Sequence, residues 1–251
     1  MTGRGLLLLQ AEGISKAYGG QAVLEDVSLS LEQGELVCLL GVSGVGKTTL
    51  FNILSGLEPP DRGRVLLKGR DVTGAPGQIR YMLQKDLLLP HKKVLDNAAL
   101  PLVLQGMGKR EARAEAAAHF PRFGLEGTED LYPAQLSGGM RQRAALLRTF
   151  LGSRGAALLD EPFSALDALT KRELHQWYLD MMDQLDMAVL FITHDIDEAV
   201  LLSDRVCILS GRPGRITAEV AIQPPRPRGL DFAVSGEFLA YKKRLLSLLG
   251  T

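Results

Sequence analysis

The chain has 251 residues, 46% hydrophobic and 23% charged, enough for one sizeable α/β domain with a buried core and too apolar for extended disorder. Its 29 Lys and Arg balance its 29 Asp and Glu. A net charge of zero lacks the basic excess of a nucleic-acid binder, so no nucleic-acid partner is expected. The run Leu6–Leu9 is too short for a signal-peptide core or a membrane span, and no other stretch approaches one. Service to a membrane would therefore be peripheral.

The first thirty residues read as strand. Val27, Leu29 and Leu31 alternate with Ser28 and Ser30, which predicts a half-buried strand. Glu35 to Leu40 is almost wholly apolar, as a strand covered on both faces would be. A helix is predicted from the glycine-rich stretch that follows, through Leu54. Short strands are predicted over Arg64–Lys68 and Ile79–Leu83, set apart by Gly and Pro turn signals. From about Val94 to Arg148 the composition turns to Ala, Leu, Arg and Glu and predicts a helical insert, with helices over Lys109–Phe120 and Gly138–Leu151. Strands return at Ala156–Asp160, Ala188–Thr193 and Arg205–Ser210, and the alternation predicts a parallel sheet with crossover helices. Cys38 and Cys207 lie inside two of the apolar runs, predicting buried, reduced thiols without metal-ligand spacing. Gln223-Pro224-Pro225-Arg226-Pro227-Arg228 reads as linker. Glu237–Leu249 reads as an amphipathic helix whose face of Phe238, Tyr241, Leu245 and Leu249 either packs back on the same domain, the favoured reading, or meets a partner.

Two patterns carry chemistry. Gly41-Val42-Ser43-Gly44-Val45-Gly46-Lys47-Thr48-Thr49 matches a phosphate-binding loop in the right setting, after a strand and before a helix. Glycines let backbone N–H groups face phosphate oxygens, the helix N-terminus favours negative charge, Lys47 can reach the β- and γ-phosphates, and Thr48 can ligate Mg²⁺. This loop alone says only that a nucleoside triphosphate binds. Downstream, an apolar strand ends in Asp160-Glu161, two carboxylates at the end of a strand where α/β sheets bind ligands. Asp160 is placed to hold Mg²⁺, and Glu161 to polarise an attacking water as general base.

Leu136-Ser137-Gly138-Gly139-Met140 resembles the signature of the ATP-binding-cassette superfamily. Other stretches resemble the family's motifs in order, over nearly the whole chain. The resemblance implies that Tyr18 stacks on adenine and that Gln84 contacts Mg²⁺ and the attacking water. It implies that Ser164-Ala165-Leu166-Asp167 communicates between two nucleotide sites, and that His194 contacts the γ-phosphate and orders Glu161. His91, His119 and His175 are expected to be ordinary surface or packing residues. Two chains are expected to pair head to tail, most simply as a homodimer, with Ser137, Gly138 and Gly139 of each closing over the other's ATP. The implied fold is α/β: a P-loop NTPase cassette with a RecA-like core, an N-terminal antiparallel β subdomain and an inserted α-helical subdomain. An ATPase domain is expected over residues 1–222, with its helical subdomain at about 85–150, and a linker and C-terminal helix over 223–251.

About fifty residues separate Gln84 from Ser137, too few for the coiled coils of DNA-repair cassettes, and a single cassette is unlike translation-type members. A transporter ATPase on the cytoplasmic face of the cell membrane, beside a multispanning permease, is therefore expected. Gln84-Lys85-Asp86-Leu87-Leu88-Leu89-Pro90, the stretches Asp195–Ala199 and Leu201–Arg205, and Gly211-Arg212-Pro213-Gly214-Arg215-Ile216 resemble the importer branch for nitrate, sulfonates, taurine and pyrimidine precursors of thiamine. Such importers also use a solute-binding protein. The rival readings are an efflux or lipid transporter, which shares every nucleotide motif, and a non-transport cassette ATPase.

Overall fold

The structure is a computed structural model, and it describes residues 6–152, 155–163, 175, 177–179, 181 and 187–250. Two sheets organise it. The first is antiparallel and built from β1 (Leu7–Tyr18), β2 (Gln21–Glu32), β4 (Arg62–Leu67) and β5 (Arg70–Asp71), in the order β2-β1-β4-β5. The second holds β3 (Leu36–Leu40), β6 (Arg80–Met82), β7 (Ala156–Asp160), β8 (Ala188–Ile192), β9 (Arg205–Ser210) and β10 (Arg215–Ala221), in the order β10-β9-β3-β8-β7-β6. Every pairing in it is parallel except that of the edge strand β10 with β9. The carboxyl ends of β3, β6, β7 and β8 therefore share one rim, where open α/β sheets bind ligands.

The central strands are apolar throughout because both faces of the sheet are covered. All five residues of β3 and of β8 are buried. Successive side chains point to opposite faces, so each strand feeds two cores. Val37 and Leu39, with Leu158, Leu190 and Cys207, meet the antiparallel sheet and helix α1 (Lys47–Leu54). Leu36, Cys38 and Leu40, with Leu159 and Phe191, meet helices α2 (Val94–Leu104), α3 (Lys109–Ala118) and α4 (Gly138–Gly152). Both cysteines are buried free thiols.

Helix α2 has no separate signature in the sequence, because Pro101 lies inside it. Burial of Val94, Leu95, Ala98, Ala99 and Leu102 outweighs the backbone bond that the proline removes. Buried Asn97 ties the approach to this helix: its amide accepts from Leu89 N–H at 2.6 Å and donates to the carbonyls of Leu89, Lys92 and Lys93. A short helix α5 (Ile196–Leu202) follows β8, and α6 (Leu230–Ala233) and α7 (Gly236–Leu249) end the described chain. Phe238 and Leu245 of α7 are buried in the same core as β3 and β9.

Residues 223–228, read from composition as linker, are pinned. Arg226 pairs with Asp204 at 2.8 Å. The buried Arg228 guanidinium donates to the carbonyls of Val200, Leu201 and Ser203 at the end of α5, and of Ile222 and Pro224. Among the described residues, no helix is long and apolar enough to cross a membrane.

Candidate nucleotide site

The phosphate loop leaves β3 and enters α1 at the shared rim. Two of its glycines are required by space. A Cβ on Gly41 would strike the Leu209 carbonyl oxygen of β9. Gly46 caps α1 with φ 109°, a left-handed conformation that favours glycine, and a Cβ there would strike Leu24. The α1 N-terminus thus offers unpaired N–H groups beside exposed Ser43, Gly44 and Thr48. The Lys47 ammonium reaches across the loop, donating to the carbonyls of Gly41 at 2.7 Å and Val42 at 3.0 Å. Burial lowers its pKa, against the pull of Glu161 and Asp160.

Strand β7 delivers the two carboxylates. Asp160 is half-buried, and burial raises its pKa. The Tyr81 hydroxyl of β6 donates to its Oδ2 at 3.1 Å and works the other way. Glu161 follows with φ 47°, a left-handed backbone that costs a non-glycine residue roughly 1–3 kcal/mol. Its N–H bonds to the Ile192 carbonyl of β8 at 2.9 Å, which fixes the turn. Its carboxylate meets two side chains at once: Gln84 Nε2 donates to Oε2 at 2.8 Å, and His194 Nδ1 lies 3.3 Å from Oε1.

His194 is exposed, but its backbone setting is tight. Thr193 Oγ1 accepts from Asp195 N–H at 3.0 Å and donates to buried Glu198. Asp195 caps α5 by accepting from the N–H groups of Asp197 and Glu198. His175 Nε2 lies 3.4 Å from Glu198 and its ring packs on Phe163, so this histidine serves the packing behind the site.

The other expected residues occupy separate places. Tyr18 ends β1, exposed, with Lys16 Nζ 5.5 Å from its ring centroid. Its hydroxyl donates to Glu58 at 2.6 Å; burial and Glu58 push the phenol pKa up, against a hydrogen bond with Thr49. Ser137 opens α4, its hydroxyl accepting from Met140 N–H and its carbonyl from Arg141 N–H. Ser137 and Gly138 are exposed and Gly139 is half-buried. Asp167 and its loop lie outside the described residues.

Three side chains of α4 that the motif reading passed over tie this helix to the rim. Arg141 pairs with Asp86 at 3.3 Å, Arg148 donates to the carbonyls of Asp86 and Leu87, and Gln142 donates to the Pro162 carbonyl. The helix that begins at Ser137 is thereby fastened to the segments that follow Gln84 and Glu161. Among the described residues, no cluster of three or more His, Cys, Asp or Glu could cage a metal ion. The Thr48 hydroxyl and Asp160 carboxylate are hard oxygen donors, and such a sparse set fits Mg²⁺, which is bound largely by substrate phosphates and water.

Comparison with known proteins agrees with this geometry. A family model described as ABC transporter matches residues 24–164. The chain is 47% identical to the formylaminopyrimidine import ATP-binding protein ThiZ of Halalkalibacterium halodurans, over 89% of this chain and 88% of that one. It is 43% identical to the aliphatic sulfonates import ATP-binding protein SsuB 1 of Nocardia farcinica, over 95% and 90%, and 41% identical to the taurine import ATP-binding protein TauB of Escherichia coli O157:H7, over 83% and 82%. The dimeric cassette MJ0796, solved also in a post-hydrolysis state with ADP and Pi, superposes with a TM-score of 0.74, at 27% and 28% identity, over 87% of this chain and 100% of that one. The two-sheet architecture with its helical layer is the ABC cassette fold, and the chain belongs to the ABC transporter family as an ATP-binding, ATP-hydrolysing subunit.

Proposed function

We propose that this ATPase energises import of a small nitrogen- or sulfur-containing solute, working as a head-to-tail pair of chains beneath a multispanning permease at the cytoplasmic face of the cell membrane. The observation that carries the catalytic part is the Glu161 carboxylate, held between Gln84 and His194 at the end of β7. A carboxylate fixed on both oxygens is pre-set in direction, as a general base must be. Lys47 and the loop N–H groups bind the β- and γ-phosphates and Tyr18 stacks on the base; Thr48, Asp160 and Gln84 are the residues that would hold the metal. Mg²⁺, when bound with ATP, neutralises phosphate charge. His194 meets the γ-phosphate and keeps Glu161 aimed at the water.

Ser137, Gly138 and Gly139 present a second helix N-terminus for anions, and they serve the ATP of the partner chain, with the Asp167 loop between the two sites. Each signature gains phosphate contacts only when the pair closes, and that differential affinity drives closure. Hydrolysis removes the contacts and the pair reopens. The permease contact is assigned to a groove of about 340 Å³ beside α2, lined by Leu87, Leu89, Leu100, Pro101, Leu104 and Arg148. Leu104 is 74% exposed and Leu87 52%, apolar area that a membrane partner would cover.

Import rather than efflux is supported by the relatives named for formylaminopyrimidine, sulfonates and taurine, which match nearly full length. The test is reconstitution. The permease complex is purified through this chain and sealed in proteoliposomes with a solute-binding protein. Uptake of a formylaminopyrimidine, alkanesulfonate, taurine or nitrate that requires ATP on the side of this chain supports the reading. ATP-driven movement of solute away from the ATPase side, or co-purification with ribosomes in place of a permease, overturns it.

A further inference from the structure

Tyr81 belongs to no motif, yet its hydroxyl donates to Asp160 Oδ2 at 3.1 Å. The register explains the reach. Tyr81 pairs with Leu158 across the β6–β7 ladder, and Asp160 lies two residues beyond Leu158, on the same face of β7. That face is the one α1 covers. The Tyr81 ring packs edge-on against Phe51 of α1, centroids 5.7 Å apart and planes at 78°. Phe51 is fully buried and stands three residues after Thr48, so both lie on neighbouring positions of one helix. A single aromatic pair thus joins the helix that carries Thr48 to the strand end that carries Asp160.

We propose that Tyr81 is a positioning residue for the metal side of the nucleotide site, its hydroxyl holding Asp160 Oδ2 and leaving Oδ1 to serve the Mg²⁺ that accompanies ATP. The inference rests on the assignment of Asp160 to that metal. A phenol is a neutral hydrogen-bond donor across the physiological range, so the Tyr81 hydroxyl donates to the carboxylate. A hydrogen bond from a neutral hydroxyl to an ionised carboxylate is charge-assisted, and at 3.1 Å it sets the direction of the carboxylate. Partners of this kind, standing behind a ligand, typically contribute 10–100-fold to metal affinity. Tyr81 would also couple the two donors: any shift of α1 that moves Thr48 pushes on Phe51, hence on Tyr81 and Asp160.

The test uses Tyr81→Phe, which keeps the ring against Phe51 and removes only the hydroxyl. Mn²⁺ serves as the probe, its binding to the full-length protein–ADP complex measured by electron paramagnetic resonance. Nucleotide affinity is measured separately in EDTA with a fluorescent analogue. The expected result is Mn²⁺ affinity lowered by about 10-fold in Tyr81→Phe with nucleotide affinity in EDTA unchanged. Asp160→Asn should lower it at least as far, and adding Tyr81→Phe to Asp160→Asn should change nothing more. Unchanged Mn²⁺ affinity in Tyr81→Phe, alongside a loss in Asp160→Asn, overturns the role of Tyr81 alone. Unchanged affinity in Asp160→Asn overturns the metal assignment beneath it. An equal loss of nucleotide affinity in EDTA marks a general structural effect and also counts against the proposal.

Discussion

Glu161 is the residue on which local strain and chemistry meet. Its left-handed backbone is unfavourable for a side chain of its size, and the bond from its N–H to Ile192 holds it there. The turn swings its carboxylate toward Gln84 and His194. Replacing Glu161 by Gln keeps the shape and removes the proposed base. We expect Glu161→Gln to bind ATP with wild-type affinity, to turn over at least about 100-fold more slowly, and to accumulate a closed dimer on ATP, read by a coupled phosphate assay and light scattering. Wild-type turnover in this variant would remove Glu161 from the mechanism. The cysteines give a second residue-scale expectation. Burial pushes the Cys207 thiol up to about 12 and raises Cys38 as well. Native protein at pH 8 should therefore take up no iodoacetamide label by mass spectrometry, while urea-unfolded protein takes up two. The sign for stability follows from proton linkage. Below the ordinary value of 9.0 both states hold the thiol proton; above it the unfolded chain releases its proton first, so stability falls as pH rises toward about 12.

Elements depend on contacts that no local pattern announces. Arg228 sits among prolines in a stretch that reads as linker, yet it closes the carbonyl end of α5, the helix that follows His194. Arg228→Ala would leave several buried carbonyls without donors, and we expect a loss of roughly 3 kcal/mol, near the upper range for single substitutions. Urea unfolding should show the fall at unchanged slope, with Arg228→Lys restoring part of it. No loss would mean that α5 ends equally well without this cap. The same lesson separates what is legible in the sequence from what is not. The apolar runs of β3, β7 and β8 announce themselves because both faces are buried. The phosphate loop, Asp160-Glu161 and the signature are legible because each packs its chemistry into adjacent residues. Helix α2 is obscured by Pro101, and its stability comes from burial rather than propensity. Tyr81, Arg141, Gln142 and Arg148 are silent in sequence, since their partners lie 79, 55, 20 and 61 or 62 residues away and only strand register and helix docking bring them together.

At the scale of the whole molecule, the parallel sheet is the stage and α4 is the connecting rod. Gln84, Asp160, Glu161, His194 and the phosphate loop stand on one rim because their strands run parallel. The signature instead opens α4, and that helix is fastened through Arg141, Arg148 and Gln142 to the segments after Gln84 and Glu161. The segment after Gln84, with Arg148 of α4 itself, also borders the groove beside α2. A change at the γ-phosphate that moves Gln84 would be felt both by the signature helix and by the groove. On the proposed head-to-tail pairing, a single chain would be incomplete as an enzyme and a pair complete.

The most direct measurement mixes two inactive variants. Lys47→Ala removes the ammonium proposed to bind phosphate from one chain. Ser137→Asp in the other preserves a good helix cap and sets a negative charge against the partner's phosphates. In a heterodimer of the two, one site carries both defects and the other carries neither. The account predicts that each variant alone is inactive, and that an equimolar mixture recovers up to roughly a quarter of wild-type ATPase activity, from one intact site in each heterodimer. No recovery, with heterodimers demonstrated by mass, would contradict a nucleotide site shared between two chains.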